Sequence, residues 1–113
     1  SCEYVVMSEG GYGCGTDFMM EVGSKPLGVS PYGAYDMIGN VTEWTADWRD
    51  NDYYEDTPSG GWVDPQGPST GYSKIFRGGM YTHTADSQAL RAAYRYGFNP
   101  TWRGSNTGFR CVQ

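Results

Sequence analysis

Hydrophobic positions along this chain are scattered and mostly aromatic. Long aliphatic runs are absent, helix formers are sparse, and glycine, proline and short polar residues interrupt every apolar stretch. Such patterning predicts short strands joined by irregular backbone that glycine turns pin in place. Glu3–Met7 reads as a short strand within a loop-rich lead-in over residues 1–21. Gly10-Gly11-Tyr12-Gly13-Cys14-Gly15 looks superficially like a phosphate-binding loop. It lacks a flanking strand–helix pattern and a following Lys-Ser/Thr, so it is read as a flexible turn. Pro31–Met37 predicts a tight turn with one helical turn. Lys74-Ile75-Phe76-Arg77-Gly78-Gly79 is a strand closing on a glycine pair. Ala89–Arg95 is a further extended segment, and Gly108–Val112 is the final strand. Between them, residues 49–74 are the least regular. Asn51–Asp56 is polar and acidic, and Pro58–Gly61 and Asp64–Pro68 are strong turn signals.

Composition explains how such a chain can hold a core. Hydrophobic residues make up 38% and aromatics 16%, with ten Tyr, four Trp and 17 Gly. Large amphipathic rings must then supply buried area, and their polar tips need hydrogen-bond partners. The 113 residues suffice for one domain, 1–113. Net charge is −5, from 8 basic and 13 acidic residues. That balance argues against nucleic-acid partners, which require a cationic surface, and against anionic membrane surfaces. No apolar run has membrane-spanning length, so direct membrane insertion is not expected, and no signal peptide is visible. The chain begins at Ser1 rather than Met, as a processed chain or a fragment would.

Three segments carry more specific information. They are Gly33-Ala34-Tyr35-Asp36-Met37-Ile38-Gly39-Asn40-Val41-Thr42-Glu43-Trp44, Arg77-Gly78-Gly79 and Asn106-Thr107-Gly108-Phe109-Arg110-Cys111. Together with Val22-Gly23-Ser24-Lys25-Pro26 and Asp64-Pro65-Gln66-Gly67-Pro68, they resemble the C-terminal half of the formylglycine-generating enzyme (sulfatase-modifying factor) family, from about Val22 onward. The resemblance implies an α+β, C-type lectin-like fold with short twisted strands and long loops. It also places a strand near Thr42–Trp48. The family domain is usually longer, so its N-terminal strand and helices are expected to be absent or reduced. A partner chain or homo-oligomer could complete that part.

The resemblance carries three implications for chemistry. Its cation-holding loop matches Asp36 and Glu43 through their side chains and Gly39 and Val41 through their carbonyls. Calcium, as a structural ion, favours such hard oxygen ligands from a flexible loop. The alternative is that Asp36 and Glu43 only accept backbone N–H bonds and cap the turn. Second, the family's oxidase members carry a cysteine pair a few residues after Arg-Gly-Gly, where copper and the substrate cysteine bind. Here His83 stands at the first position and Ser87 or Gln88 at the second, and soft thiolates that suit Cu(I) are missing. The oxidase mechanism is therefore not expected. Third, Cys111 follows Gly-Phe-Arg, where the family often has a disulfide-bonded cysteine. Its partner is Cys2 or Cys14, and one of the three thiols is left over.

From Tyr81 to Thr107 the scaffold residues Leu90, Arg91, Ala92, Ala93, Arg95 and Pro100 are interleaved with rings and short polar side chains. This is paratope chemistry. The arrangement resembles the variable proteins of diversity-generating retroelements, which display a mutable face on the same lectin-like fold. Adenine-specific changes at AAC codons reach Tyr81–Ser87, Tyr96–Asn99 and Gly104–Thr107. The expected binding face comprises Tyr81, Thr82, His83, Thr84, Asp86, Tyr94, Tyr96, Phe98, Asn99, Trp102 and Ser105. Arg77, Arg91, Arg95 and Arg110 are expected to make charge-assisted bonds beneath the loops. The reading is a non-catalytic domain that binds a protein or small molecule, placed outside the cell or on a cell or virion surface. The alternatives are a formylglycine-generating-enzyme-like oxidoreductase or inactive paralogue, and a structural subunit of a cell-surface assembly.

Overall fold

The computed structural model describes residues 1–55 and 57–111, so Asp56 of the acidic stretch and Val112 of the expected last strand lie outside it. Among the described residues four strands form one sheet in the order β3-β2-β1-β4: β1 Thr42–Trp48, β2 Lys74–Arg77, β3 Tyr96–Phe98 and β4 Thr107–Gly108. The pairs β1–β2 and β2–β3 are antiparallel, whereas β4 runs parallel to β1. Short 3-10 turns at Tyr12–Gly15, Pro26–Gly28 and Gln88–Leu90 are the helical elements among the described residues.

The sheet register explains where the aromatic residues go. Trp44 pairs with Phe76, and Phe76 with Tyr96, so three rings share one row across β1, β2 and β3. Trp44 and Phe76 meet edge to face at 3.9 Å, and Phe76 stacks on Phe98 at 5.9 Å. Alternation along β2 turns Ile75 to the opposite face, yet both residues are buried. The sheet is thus covered on both sides at its centre. Val6 and Met7, from the lead-in, are the other buried hydrophobic residues among those described.

The lead-in departs from its expected form. Glu3–Met7 is not a strand; only Val6 bridges, in parallel, to Gly39. The physical reason is Asn40. Its N–H donates to the Val6 carbonyl at 2.8 Å, while its side chain takes the Met20 N–H at 2.9 Å and gives its amide to the Met20 carbonyl at 3.0 Å. Val6 and Met20 are therefore anchored by one buried side chain and its main chain rather than by a ladder. Asn40 sits at φ 61°, a left-handed conformation that asparagine tolerates. Gly39 precedes it at φ 78°, and a Cβ there would lie 2.4 Å from the Val6 carbonyl oxygen.

Two further expectations are corrected. Ala89–Arg95 is not extended throughout. The Ser87 side chain accepts the Ala89 N–H and starts a 3-10 turn over Gln88–Leu90, and the Tyr94 N–H then closes a turn on the Arg91 carbonyl. Extension resumes only at Tyr96. The segment 31–37 makes its tight turn, with the Gly33 N–H on the Ser30 carbonyl, but has no helical turn. There Ser30 Oγ takes the N–H groups of Tyr32 and Ala34, which satisfies the backbone without a helix.

The disulfide also differs from the expected pairing. Cys2 bonds to Cys14, and Cys111 is a free, exposed thiol. The Cys14 N–H donates to the Met7 carbonyl at 2.8 Å, folding the lead-in back and bringing the Cys2 and Cys14 Cα atoms to 5.7 Å.

Candidate functional site

The end of β2 leads into Gly78 (φ 89°) and Gly79 (φ 71°), and this pair swings the chain out of the sheet. Gly79 is buried, and a Cβ on it would sit 2.6 Å from Leu90 and 3.2 Å from His83 Nδ1. The glycine therefore lets the 80–83 turn fold against the 3-10 turn that follows. Within that turn the Met80 N–H donates to His83 Nδ1 at 3.1 Å, and the His83 N–H returns to the Met80 carbonyl at 3.0 Å. The lead-in closes over the same turn, with the Ser8 N–H on the His83 carbonyl and the Gly13 N–H on the Tyr81 carbonyl.

These turns and β3 enclose a cavity of about 270 Å³. Phe76, Tyr96 and Phe98 supply it from the sheet, His83 and Met80 from the glycine turn, and Tyr94, Trp102 and Asn106 from the C-terminal loops. Trp102 is placed by an Asn99 turn: Asn99 Oδ1 accepts the Thr101 N–H at 2.9 Å, and the Trp102 N–H donates to the Asn99 carbonyl at 2.9 Å. Its ring packs 4.8 Å from Phe98. Burial pushes the His83 imidazole below its ordinary pKa. Acceptance of an N–H at Nδ1 also requires that nitrogen to be unprotonated, so neutral His83 carries its proton on Nε2.

The eleven expected face residues divide into two sets. His83, Tyr94, Tyr96, Phe98 and Trp102 line the cavity, whereas Tyr81, Thr82, Thr84, Asp86, Asn99 and Ser105 do not. Of the second set, Thr84, Asp86, Asn99 and Ser105 are exposed and Tyr81 and Thr82 half-buried. The Thr84 hydroxyl bonds Asp86 and holds its carboxyl below the usual range. Tyr81 is tied through its main chain to Asn40 and Gly13, so its position is structural as well as superficial. Sequence reasoning missed Met80 and Asn106 as lining residues. Asn106 Nδ2 donates to Met80 Sδ at 2.9 Å, and the Asn106 carbonyl accepts from Thr42 N–H and Oγ1. The signal available was the shared proximity of both residues to the fixed Arg-Gly-Gly and Gly-Phe-Arg anchors.

The expected calcium ligands are held differently from an ion site. Both Glu43 carboxylate oxygens accept from Arg110, from Nε at 2.6 Å and Nη2 at 2.7 Å. Arg110 also donates to the carbonyls of Tyr35 (2.9 Å) and Asp36 (3.1 Å). Asp36 Oδ2 accepts the Gly23 N–H at 2.7 Å. A guanidinium thus takes the cationic role beside Glu43, whose two carboxylate oxygens are committed to it rather than free for a divalent ion. Among the described residues no group of three His, Cys, Asp or Glu side chains converges. Of the other arginines, Arg77 Nη1 donates to the Ala92 carbonyl at 2.7 Å. Arg91 is exposed. Arg95 does not bond a carbonyl or carboxylate among the described residues; it lies 5.0 Å from the Tyr54 ring instead.

With this geometry in hand, the chain can be placed among known proteins. Its sequence is 43% identical over 85 residues to the serine/threonine-protein kinase pkn1 of Chlamydia caviae, covering 75% of this chain and 13% of that protein. It is 40% identical over 82 residues to the formylglycine-generating enzyme of Streptomyces coelicolor, covering 72% of this chain and 25% of the enzyme. A mouse relative at 32% identity over 97 residues, covering 80% of this chain and 26% of its own length, is named inactive C-alpha-formylglycine-generating enzyme 2. In structure, the chain superposes on Treponema denticola variable protein 1 with a TM-score of 0.72 at 31% identity, over 95% of this chain and 34% of that one. PvdO from Pseudomonas aeruginosa gives 0.71 at 28% identity, over 96% and 38%. The chain therefore spans about an eighth to a quarter of the curated relatives it matches. The fold is the expected α+β, C-type lectin-like type, its helical part reduced to short turns. A match over residues 12–113 completes the placement: the chain belongs to the sulfatase-modifying factor enzyme 1-like domain family.

Proposed function

We propose that this is a non-catalytic recognition domain that binds a protein or small molecule through the loops around the aromatic cavity. The observation that carries the reading is the join between three sequence-distant segments. The turn after Gly79, the strand β3 and the Asn99 turn place rings at one opening, with exposed Thr84, Asp86, Asn99 and Ser105 in the flanking loops. Rigid rings with short polar neighbours suit binding at low entropic cost. The similarity to a variable protein supports display on this scaffold. The position after Arg-Gly-Gly carries His83 rather than a thiol, and no cysteine lies between Cys14 and Cys111. Oxidase chemistry through a thiol pair is therefore not available to this segment.

The test is a display library randomised at Tyr81, Thr82, Thr84, Asp86, Asn99 and Ser105, selected against several unrelated proteins. Folded, specific binders are expected, with Tm retained within a few degrees. Loss of folding across the library would show that these residues serve the core. Conversion of a peptide cysteine to an aldehyde by the copper-loaded parent chain would overturn the non-catalytic reading.

A second arrangement has its own support. A cleft of about 480 Å³ lies on the other side of Arg77, walled by Met37, Ile38, Trp44 and Ala92. The chain aligns with little more than a third of its structural neighbours. This cleft suits further family-domain structure, supplied by a partner chain or a second copy. Such a protein would work as part of an assembly, in an oxidising compartment where the Cys2–Cys14 bond persists.

A further inference from the structure

Two neighbouring parts of the lead-in are held in different ways. Val6 and Met7 are buried, and the Val6 carbonyl takes the Asn40 N–H at 2.8 Å, so this part is anchored by its own packing. The loop that follows has no apolar anchor. Four of the six residues from 10 to 15 are glycine, and of the six only Gly13, which has no side chain, is buried. Cys14 sits at φ 61°, a conformation unfavourable to a residue with a Cβ. An unrestrained chain of this composition has much conformational entropy to lose in taking that shape. The Cys2–Cys14 bond closes it, beside the Cys14 N–H on the Met7 carbonyl and an exposed bond from the Cys2 N–H to the Glu9 carboxylate.

This loop grips the turn that carries His83 into the cavity. The Ser8 N–H donates to the His83 carbonyl at 2.8 Å and the Gly13 N–H to the Tyr81 carbonyl at 3.0 Å. Resting on the reading of residues 81–84 as part of the recognition face, we propose that Cys2–Cys14 is a thiol–disulfide exchange site, whose reduction by a dithiol releases residues 8–15 and unlocks that turn. Both cysteines are half-buried rather than enclosed, in a loop whose other residues are mostly exposed. A thiolate of the dithiol attacks one sulfur, and its second thiol resolves the mixed disulfide. Two electrons and two protons pass to the protein, the S–S bond gives way to the Cys2 and Cys14 thiols, and the dithiol leaves as its own disulfide. The β1–β2 and β2–β3 pairs and the Val6–Gly39 bridge share no residue with the loop, so the opening is local.

The experiment follows backbone amide exchange and the ring signal of His83, the only histidine, in the intact chain with and without excess dithiothreitol. Reduction is expected to speed exchange at Ser8 and Gly13 by at least about tenfold. It should also shift the His83 signal and leave the amides of the β1–β2 pair protected. Reoxidation should reverse both changes. Cys2→Ser should match the reduced chain without reductant, and Cys111→Ser should respond as the parent does. Display-library members that bind in the oxidised form should weaken by at least about tenfold when reduced, as the competent turn becomes less populated. Unchanged exchange at Ser8 and Gly13 would overturn the proposal. So would an equal rise in the β1–β2 pair, which would make the bond a staple of the whole fold. Loop release with the His83 signal or the affinity unmoved would sink its link to the face. The exchange readout needs no ligand, so its failure leaves the recognition reading to be decided by the library.

Discussion

Arg110 grips Glu43 with two parallel N–H···O bonds of 2.6 and 2.7 Å, and its remaining donors reach the Tyr35 and Asp36 carbonyls. One side chain thereby joins the C-terminal segment, β1 and the 35–36 loop. The Glu43 hydrogen bond, more than its charge alone, raises the Arg110 pKa further. The two side chains are 31% and 22% exposed, so solvent screens the pair only in part. Replacing Arg110 with Ala should cost about 1–3 kcal/mol of stability, read from urea melts, because it strands a carboxylate and two carbonyls. Arg110→Lys should recover less than half of that, since an ammonium cannot present a planar fork.

The same pair predicts the response to calcium. With both Glu43 oxygens engaged by Arg110 and Asp36 Oδ2 on the Gly23 N–H, calcium would have to displace the guanidinium to reach Glu43. EDTA should leave Tm unchanged, and millimolar calcium should raise it by less than about 1 °C, as linkage requires for a ligand without a site. A saturable rise in Tm on adding calcium, lost in Glu43→Gln, would show that the guanidinium yields its place.

Asn40 is a sharper test of how the lead-in is held. It is 3% exposed and bonds three other segments: Val6, Met20 and Tyr81. Asn40→Ala would leave a Met20 N–H and carbonyl without partners and force alanine to φ 61°. The expected loss is about 2–4 kcal/mol in urea melts, with Asn40→Gly milder by about 1 kcal/mol because the backbone strain is removed.

The sheet was legible where residue chemistry was local and unusual. Lys74–Arg77 ending on two glycines could only be a strand that turns sharply, and both glycines do take positive φ. Trp44 four before Trp48 marked β1 once the family pattern was seen. The cavity was legible as a composition of rings, but the division between lining and rim was not. It depends on register: Phe76 pairs with Tyr96, which aligns Phe98 beneath Trp102, and no periodicity in a three-residue strand reveals that. The disulfide was missed because Cys14 is set by a left-handed 3-10 turn, φ 61°, that only the folded lead-in imposes. Glu43 was picked for its charge, which was sound, but its partner stands 67 residues away. Loop-to-loop pairing of that kind leaves no local trace.

Cysteine labelling checks the corrected pairing. With Cys2 and Cys14 bonded and Cys111 exposed, iodoacetamide without reductant should add one label to the native chain. Cys111→Ser should take none, and its stability should match the parent. Reduction should expose the two remaining thiols and lower stability by about 2–4 kcal/mol, the range for a loop this short. A label on Cys2 or Cys14 in the unreduced protein would contradict the bond.

His83 makes stability depend on pH in a definite direction. Burial lowers its pKa below the ordinary value of about 6.5. Between that value and the lowered one, the unfolded chain holds a proton that the folded chain does not. Stability from this group is therefore full above about pH 6.5 and is lost as pH falls through the folded value. The Met80 N–H on Nδ1 gives a structural reason, because protonation would break that bond and loosen the turn at the cavity mouth. No other histidine is present to compete in this window. Urea midpoints should decline from pH 7 to pH 5.5 in the parent, and that part of the decline should vanish in His83→Gln. A parent midpoint that rises as pH falls through this range would mean that imidazolium, not imidazole, is the form the cavity prefers.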